Sequence, residues 1–508
     1  QRAVSRPDHV CQIPAGFSIT SPKLHVFHPT FDFRRESAKA NSEINLGAAM
    51  IKKLTLRNFR AFRNQVFHFG KFNVFVGPNN SGKSSALSAL NMIAQTVLNS
   101  DVSQTALVLN GPFESLGTYL DLVHGGRANS PLGFDLEFDD NEIRLDFKYR
   151  SQRREIEIVR YELFENRRNV LSYSSKKDSF DLRLFGVDIE RLIPGTRKSR
   201  PAFRNLVPLN ATYTMQLVRK YRDEEIPENL MATLRRADRA LVMARTRLRR
   251  SFNSFDSLSP IREKPERTYL YSGETAERIG TTGANTALLL ASDTSKRGGE
   301  SKGIEEFISR WFQVTGIAKS VRIESISPRH FELVLVDFDN SKHNISDVGF
   351  GCSQVLPVLA SALNLFTRPN SPESRSPVLL IQEPEIHLHP NAQASLGSFF
   401  AGVVPNDGQL FLETHSDNLI LRLARHVADG TISEQELRIF YVHRQNSESL
   451  VHDIEVRGDG TFTSDWPGGF FPQRQSESLA LAQQSAKART STRNEIQLIF
   501  EYASGHRR

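Results

Sequence analysis

The chain has 508 residues, of which 39% are hydrophobic and 24% are charged, and its formal net charge is +8. This composition is typical of a globular protein and excludes a disordered chain, while the length predicts two or more lobes. No apolar run approaches the roughly 20 residues of a membrane helix, and the two cysteines, Cys11 and Cys352, provide no disulfide framework and no thiolate metal cage. A cytoplasmic protein without membrane contact is therefore expected.

Three strands are predicted first, at 51–57, 65–69 and 72–76, and a helix follows the third. The turn between that strand and the helix is rich in glycine and ends in Lys83 and Ser84. Backbone N–H groups of such a turn, with a helix N-terminus behind it, form a cradle for polyphosphate. Lys83 is expected on the β- and γ-phosphates and the Ser84 hydroxyl on Mg²⁺. The predicted phosphate-binding residues are Gly77, Pro78, Asn79, Asn80, Ser81, Gly82, Lys83, Ser84 and Ser85.

The middle of the chain shows two other patterns. Short alternating runs within 131–185 predict an antiparallel sheet with one solvated face. Residues 210–255 are predicted to be helical and strongly basic, and 265–303 to be loops. Four arginines of the basic stretch are candidates for contact with DNA or an acidic partner, and a solvated charged face is the alternative. They are Arg235, Arg239, Arg249 and Arg250.

The last third returns to alternating strands and helices. The predicted elements are a helix at 304–313, strands at 321–326 and 331–337, a helix after Ser353, a strand at 378–381, a helix at 391–401, a strand at 409–413 and a helix at 417–429. A nucleotide fold that is split in sequence therefore surrounds an insertion. The expected segments are a poorly structured extension at 1–49, core at 50–130, insertion at 131–320, core at 321–475 and a polar tail at 476–508. The character of the sequence changes at Met50, which we expect to be the natural start.

A fully apolar strand at 378–381 ends in Gln382 and Glu383, and ligands bind at such strand ends in parallel sheets. In ATPases of this layout, an aspartate directly after the strand holds the metal shell and the next residue, a glutamate, polarises the attacking water. Gln382 occupies the metal position without a charge, and Glu383 is the predicted base. The alternative register places Glu383 on the metal and Glu385 as base. Pro384 would end the strand directly after Glu383, which favours the first register.

Two further stretches predict contacts with a γ-phosphate. Gly351 and Ser353 precede an apolar helix, and helix N-termini bind anions. One nucleotide needs only one phosphate loop, so this second site is expected to cap the nucleotide of a partner subunit. His415 follows the strand at 409–413 and is expected to hydrogen-bond the γ-phosphate and sense its loss.

In this order the four motifs resemble the ABC-type ATPase core of the structural-maintenance-of-chromosomes (SMC), RecF and OLD (overcoming lysogenization defect) group of AAA proteins. The stretch Leu54–Arg60 resembles the first strand of that group. The resemblance covers about 50–125 and 320–475 and implies an α/β fold, a P-loop NTPase of the ABC-type ATPase head class, with a mixed helical and β insertion. Lys83 and Ser84 match its phosphate loop, and Arg60 matches an arginine that contacts nucleotide. The other matches are Gly351 and Ser353 in its signature loop, Glu383 as catalytic glutamate and His415 as switch histidine.

The sequence departs from the group at Gln382 and at His389, where transporters of this class carry an aspartate. The phrases Glu383–Pro390, Glu413–Ser416 and Trp466–Phe471 resemble a bacterial OLD-like subgroup with a Trp-Pro-x-Gly-Phe-Phe tail. The roughly 90 residues after His415 lack the spaced acids of an OLD nuclease, and about 100 residues is a usual domain size. We therefore expect no nuclease in this chain.

The predicted function is ATP hydrolysis with Mg²⁺ by a homodimer, or a higher even oligomer, that switches conformation around its nucleotides. The resemblance implies DNA repair or phage defence with a separate effector, a nuclease or a toxin. A nucleotide-gated scaffold with negligible turnover, which restrains an effector, is the alternative, and the uncharged Gln382 favours it. A GTPase is disfavoured because no Asn-Lys-x-Asp motif is present. A transporter ATPase is disfavoured by the large insertion and the basic helix.

Overall fold

The structure, a computed structural model, describes residues 50–99, 106–127, 129–193, 195, 200–209, 227–271, 273, 276–296, 301–367, 376–446, 448–463 and 466. The expected extension at 1–49 and the tail at 476–508 lie outside these residues. So do the first part of the predicted basic helix, at 210–226, and residues 467–471 of the tail motif.

An antiparallel eight-stranded sheet has the order β2-β1-β4-β5-β6-β7-β8-β9. Its strands are β1 (Lys53–Phe59), β2 (Phe62–His68), β4 (Leu132–Glu137), β5 (Asn141–Arg150), β6 (Glu155–Glu165), β7 (Arg168–Ser175), β8 (Phe180–Leu184) and β9 (Val187–Asp188). Every second residue in the first part of β5 is buried, as the alternating sequence predicts for a sheet with one covered face. Because β1 pairs with β4, the first strands of the chain and the strands expected for the insertion form one sheet.

A six-stranded sheet carries the phosphate loop and has the order β12-β17-β18-β3-β19-β20. Its strands are β3 (Phe72–Val76), β12 (Phe255–Leu258), β17 (Val378–Gln382), β18 (Gln409–Glu413), β19 (Leu437–Gln445) and β20 (Glu448–Ile454). The first five strands of this order run parallel, and β20 is antiparallel to β19. All residues of β3 and β18 are buried, since a parallel sheet is covered on both faces.

The described residues include the following α-helices. They are α1 (Lys83–Leu98), α2 (Tyr119–Leu122), α3 (Ile189–Leu192), α4 (Glu228–Asn253), α5 (Thr286–Ser295), α6 (Ile304–Thr315), α7 (Phe350–Phe366), α8 (Pro390–Val403) and α9 (Asp417–Ala428). Val378 and Leu380 of β17 pack into the hydrophobic core that contains α1, α4 and the antiparallel sheet. Leu379 and Ile381 of the same strand pack into the core that contains α5 to α9. None of the described helices is long and apolar enough to cross a membrane.

Two small sheets complete the described structure. The four-stranded sheet contains β13 (Tyr269–Leu270), β14 (Ser320–Ser327), β15 (His330–Val336) and β16 (Lys342–Asn344), and the two-stranded sheet contains β10 (Ala202–Arg204) and β11 (Val207–Leu209).

Two predicted assignments in the middle of the chain differ from the structure. The predicted loop at 265–303 contains α5, whose apolar centre is flanked in sequence by Gly, Ser and Thr. The predicted helix reaches 255, where β12 instead begins and pairs with β17 in parallel. All four residues of β12 are buried, including Asp256 and Ser257. Because two of its four residues are polar, the sequence shows no apolar strand pattern here. The segment forms a strand because it pairs with β17 in the folded protein.

The buried Gln409 joins parts of the core that are distant in sequence. Its Oε1 accepts a hydrogen bond from Ile51 N at 2.8 Å, and its Nε2 donates to Ile51 O at 2.9 Å and Gly70 O at 3.0 Å. The first residue of β18 therefore fixes the segments that precede β1 and β3.

Candidate nucleotide-binding site

The loop from Gly77 to Gly82 crosses the carboxyl end of β3. Gly77 has φ +141°, and a Cβ atom there would lie 1.9 Å from the carbonyl oxygen of Val442 in β19. Gly82 has φ +108°, and its Cβ would lie 2.8 Å from the Cβ of Ala61. Both positions therefore require glycine. No side chain caps α1 and its first turn holds no acid, so its N-terminal N–H groups face an open anion position.

Lys83 is buried and its ammonium lies against this loop. Nζ donates to Gly77 O at 3.0 Å and to Pro78 O at 2.8 Å. Burial lowers the pKa of Lys83, while the nearby Glu413 and Glu383 carboxylates oppose that shift. An ammonium has three donors, so the two carbonyl bonds hold it in place with a third donor available for phosphate.

The hydroxyl of Ser84 meets a carboxylate that sequence reasoning did not assign. Ser84 Oγ donates to Glu413 Oε1 at 2.9 Å, and Gln382 Nε2 donates to Glu413 Oε2 at 3.0 Å. Gln382 and Glu413 are direct partners in the β17–β18 pairing. Burial raises the pKa of Glu413, whereas its two hydrogen bonds and Lys83 lower it. Hydroxyl, carboxylate and amide oxygens form a donor set that suits Mg²⁺.

Glu383 and His415 lie at the same sheet edge. Glu383 Oε1 is 4.0 Å from His415 Nε2; the Glu383 side chain is half-buried and the His415 side chain is exposed. Burial and the Lys83 charge lower the pKa of His415, and Glu383 opposes this shift. The imidazole is consequently neutral at pH 7. Glu383 itself has the left-handed backbone angle φ 47°, so the chain turns sharply where β17 ends.

Glu385, the base of the alternative register, faces another direction. It is buried, and its Oε1 accepts a hydrogen bond from the backbone N of His415 at 2.6 Å. Burial raises the pKa of Glu385. This carboxyl group supports the backbone that carries His415.

Arg262 is a second residue of the site that sequence reasoning missed. This buried side chain follows β12, and its Nη2 donates to Gln382 O at 2.8 Å and to Glu383 O at 3.0 Å. Burial lowers its pKa to about 10, and the carboxylates of Glu385 and Glu383 oppose the shift. The guanidinium remains charged at pH 7. A single arginine between the predicted helix at 210–255 and the predicted loop at 265–303 carries no sequence signal, because its partners lie on another strand.

Three predicted nucleotide-binding residues lie apart from this cluster. The helix α7 begins at Phe350, three residues before Ser353, and Gly349 is its N-cap residue. Ser353 is buried, and its hydroxyl donates to Phe350 O at 3.1 Å. Gly351 lies in the first turn against His387 O. The prediction that the helix starts after Ser353 is therefore wrong, because the glycine before Phe350, rather than the serine, ends the extended backbone. Phe350, at 52% exposure, is the exposed side chain of this turn.

The described polar contacts of the Arg60 side chain are with α1 and Glu114 rather than with the phosphate loop. Its Nη1 donates to Ser88 Oγ at 2.9 Å and lies 3.6 Å from Glu114 Oε1. Ser88 stands one helical turn after Ser84, so Arg60 braces α1 behind the loop.

A basic cavity of about 880 Å³ lies between α4 and the end of α1. Among the described residues that line it are four arginines, several amide side chains and no acid. The arginines are Arg204, Arg245, Arg249 and Arg278. Of the four arginines predicted to contact a partner, Arg249 is in this lining. Arg235 and Arg239 are exposed elsewhere on α4, and Arg250 is half-buried.

A buried parallel sheet, a glycine-bounded loop at its carboxyl edge and an uncapped helix behind that loop define a P-loop NTPase. The strand order places β18, with His415 after it, between the phosphate-loop strand β3 and the acidic strand end of β17. The fold class expected from the sequence is thereby confirmed.

Residues 50–420 match the model of the AAA ATPase domain family AAA_15. The chain belongs to this family and is an ATP-binding protein of the AAA ATPase class. No curated protein matches it.

Solved structures of SMC head domains are similar to the chain. One is the SMC head domain from Thermotoga maritima, with 12% identity, a TM-score of 0.35, and coverage of 80% of this chain and 99% of that one. Another is an SMC head bound to the C-terminal winged-helix domain of ScpA, with 13% identity, a TM-score of 0.37, and coverage of 80% and 98%. A third, with ScpA derived from Pyrococcus furiosus, has 12% identity, a TM-score of 0.35, and coverage of 80% and 96%. These scores carry no argument about partners or assembly.

Proposed function

We propose that the chain binds ATP with Mg²⁺ at the edge of the six-stranded sheet and hydrolyses it. The observation that carries this proposal is the placement of Glu383 and His415, 4.0 Å apart, beside Lys83 and Ser84. Enzymes transfer a phosphoryl group to water mainly by positioning and charge stabilisation. These side chains provide a base, a neutral imidazole and an ammonium at one edge of the parallel sheet.

Each residue has a separate task in this reaction. Lys83 and the N–H groups at the start of α1 bind the phosphates, and Ser84 offers an oxygen to the metal. Mg²⁺, when bound, supplies charge neutralisation on the phosphate oxygens. Glu383 polarises the attacking water and accepts its proton. His415 donates a hydrogen bond toward the γ-phosphate, and Glu385 and Arg262 hold the backbones of His415 and Glu383.

Two variants test this assignment. Lys83→Ala removes a charged hydrogen bond worth about 1.5–3 kcal/mol, so ATP binding should weaken by about 10–150-fold in calorimetry. Glu383→Gln should keep ATP affinity but lower turnover by roughly 10²–10⁴-fold, because the water loses its base. ATP affinity unchanged in Lys83→Ala would reject the phosphate site. Normal turnover in Glu383→Gln would instead reject the base and return the role to Glu385.

The alternative function is a nucleotide-gated scaffold with negligible turnover that restrains an effector. The amide of Gln382, at the position where an acid is expected, favours it. Steady-state phosphate release separates the two: a wild-type rate indistinguishable from that of Lys83→Ala would support the scaffold.

We also propose that two chains form a dimer around ATP, with the first turn of α7 facing the partner's nucleotide. The exposed Phe350 at that turn supports this arrangement. A role in DNA repair or phage defence with a separate nuclease or toxin rests on the resemblance of the motifs. Plaque counts on cells carrying the wild type or Lys83→Ala test the defence role, which predicts protection only by the wild type.

Double-stranded DNA is the partner we propose for the basic cavity. Its arginines, with no acid in the described lining, match a phosphate backbone, and the amides add donors for sugar and phosphate oxygens. An acidic protein is the alternative occupant of this surface.

A further inference from the structure

An amide occupies the position where this class of site is expected to hold a carboxylate, and a carboxylate lies directly beside it. Gln382, the last residue of β17, occupies the position where a metal-binding acid is expected. Its direct neighbour on β18 is Glu413, whose carboxylate accepts hydrogen bonds from both Gln382 and Ser84. The loss of an acid at one strand end is therefore matched by an acid at the next.

We propose that Glu413 supplies the carboxylate that binds Mg²⁺ or its water shell, and that Gln382 is a positioning residue for it. This inference rests on the proposed function, since it assigns the metal site of the same nucleotide. It gives a role to a buried acid that is otherwise unexplained at the phosphate loop.

The separation of the two oxygens fits a shared cation. Mg²⁺ takes octahedral oxygen ligands at about 2.0–2.1 Å, so adjacent ligands of one ion lie about 2.9 Å apart. Ser84 Oγ and Glu413 Oε1 lie 2.9 Å apart. The two oxygens are joined by a hydrogen bond, so they could ligate one cation once the Ser84 hydroxyl turns its proton away from Glu413.

The amide at Gln382 follows from the acid at Glu413. Two carboxylates at these paired positions would repel each other. An amide instead donates to the second oxygen of Glu413, at 3.0 Å, and fixes its orientation. Backbone contacts support the same geometry, because Glu383 N donates to Glu413 O at 2.7 Å.

The test measures how strongly Mg²⁺ tightens nucleotide binding, without hydrolysis. The probe is the non-hydrolysable β,γ-imido analogue of ATP, titrated by calorimetry with Mg²⁺ and with EDTA. Glu413→Gln keeps the size of the side chain and an acceptor for Ser84 but removes the charge. We expect it to weaken Mg²⁺ binding to the nucleotide complex by about 10–100-fold, with little change of affinity in EDTA.

Two further variants make the result specific. The exchange variant Gln382→Asp/Glu413→Gln returns the acid to β17 and should recover part of the Mg²⁺ effect. Glu383→Gln should keep it, because Glu383 is assigned to water. Thermal melting confirms that each protein is folded. If Glu413→Gln does not fold, the Mg²⁺ effect is measured in the exchange variant instead.

The outcomes distinguish a failure of the proposed function from a failure of this inference alone. Wild type that does not bind the analogue in either condition overturns the proposed function and this inference together. Wild type with a Mg²⁺ effect that persists in Glu413→Gln overturns the inference alone. So does a Mg²⁺ effect that disappears in Glu383→Gln, or one that the folded exchange variant fails to recover.

Discussion

Arg262 holds the backbone of Glu383 at the end of β17. One guanidinium nitrogen donates to the carbonyl oxygens of Gln382 and Glu383, where β17 ends. Glu383 adopts φ 47° there, and the left-handed conformation costs a non-glycine residue about 1–2 kcal/mol. Hydrogen bonds from a charged donor offset a cost of that size. The arginine thus acts through the backbone of the predicted base.

We expect Arg262→Met to lower turnover and to leave nucleotide affinity nearly unchanged. Methionine fills a similar volume but cannot hold the two carbonyls, and a misplacement of about 1 Å at a reacting group can cost roughly 100-fold in rate. The kcat and the dissociation constant of the ATP analogue are measured separately, with Arg262→Lys as a variant that keeps donors and should recover part of the rate.

The matched control is Arg310→Met, which removes an exposed arginine of α6 that pairs with Glu306. Equal losses of affinity and rate in Arg262→Met would indicate general unfolding of the site instead of mispositioning of Glu383.

The residues of the site differ in how far sequence could predict them. Lys83 and Ser84 follow from local spacing, because the strand, loop and helix that place them are contiguous. Glu413 and Arg262 do not follow from local spacing. Glu413 contacts Ser84, which is 329 residues away in sequence, and Arg262 contacts Glu383, which is 121 residues away. Only the parallel pairing of distant strands brings these side chains together.

At the scale of elements, apolar periodicity predicted the core well. The strands β3 and β18 begin and end at the predicted residues, because each is a buried run bounded by polar residues or glycine. The element β12 escaped prediction because half of its residues are polar and its partner β17 lies more than a hundred residues later. The start of α7 was misplaced because Gly349, not Ser353, ends the extended backbone.

The helix α4 is predicted to contribute to DNA binding. Arg245 and Arg249 are one turn apart and both line the basic cavity. Their double replacement by alanine should weaken binding of a labelled duplex DNA, measured by fluorescence anisotropy. The slope of log K against log salt should fall by about 2, because each phosphate that an arginine no longer neutralises accounts for about 0.9.

Arg153→Ala/Arg154→Ala is the charge-matched control, since these exposed arginines lie in the β5–β6 turn, away from the cavity lining. If this pair changes the salt slope as much as the α4 pair, the cavity is not where DNA binds. An acidic protein partner would then be the better interpretation of the surface.

At the scale of the whole molecule, ATP-dependent dimerisation is the property to test. Ser353 is buried, so a bulky residue there would disturb α7 itself. Phe350 is the better position, at 52% exposure in the first turn of that helix. An acid there suits the helix dipole by about 0.3–1 kcal/mol, yet it would repel the phosphates of a partner's nucleotide.

Phe350→Asp should therefore abolish dimers formed with the ATP analogue, measured by light scattering, and leave analogue binding by the single chain intact. Phe338→Asp is the control, since Phe338 is 54% exposed and lies after β15. A doubled mass in both variants would show that the turn at Phe350 takes no part in assembly.

The contact between Gln409 and Ile51 spans 358 residues, which has a consequence for the order in which the ribosome delivers the chain. The antiparallel sheet is assembled from β1 to β9, within the first part of the described chain, and can form early. The strand β3 must wait for both of its neighbours, β18 and β19. At roughly 5–20 residues per second, this delay lasts tens of seconds. Throughout that time an apolar strand has two unpaired edges, the condition that favours aggregation. The loop between β3 and α1 thus acquires its support only after β18 and β19 have been synthesised.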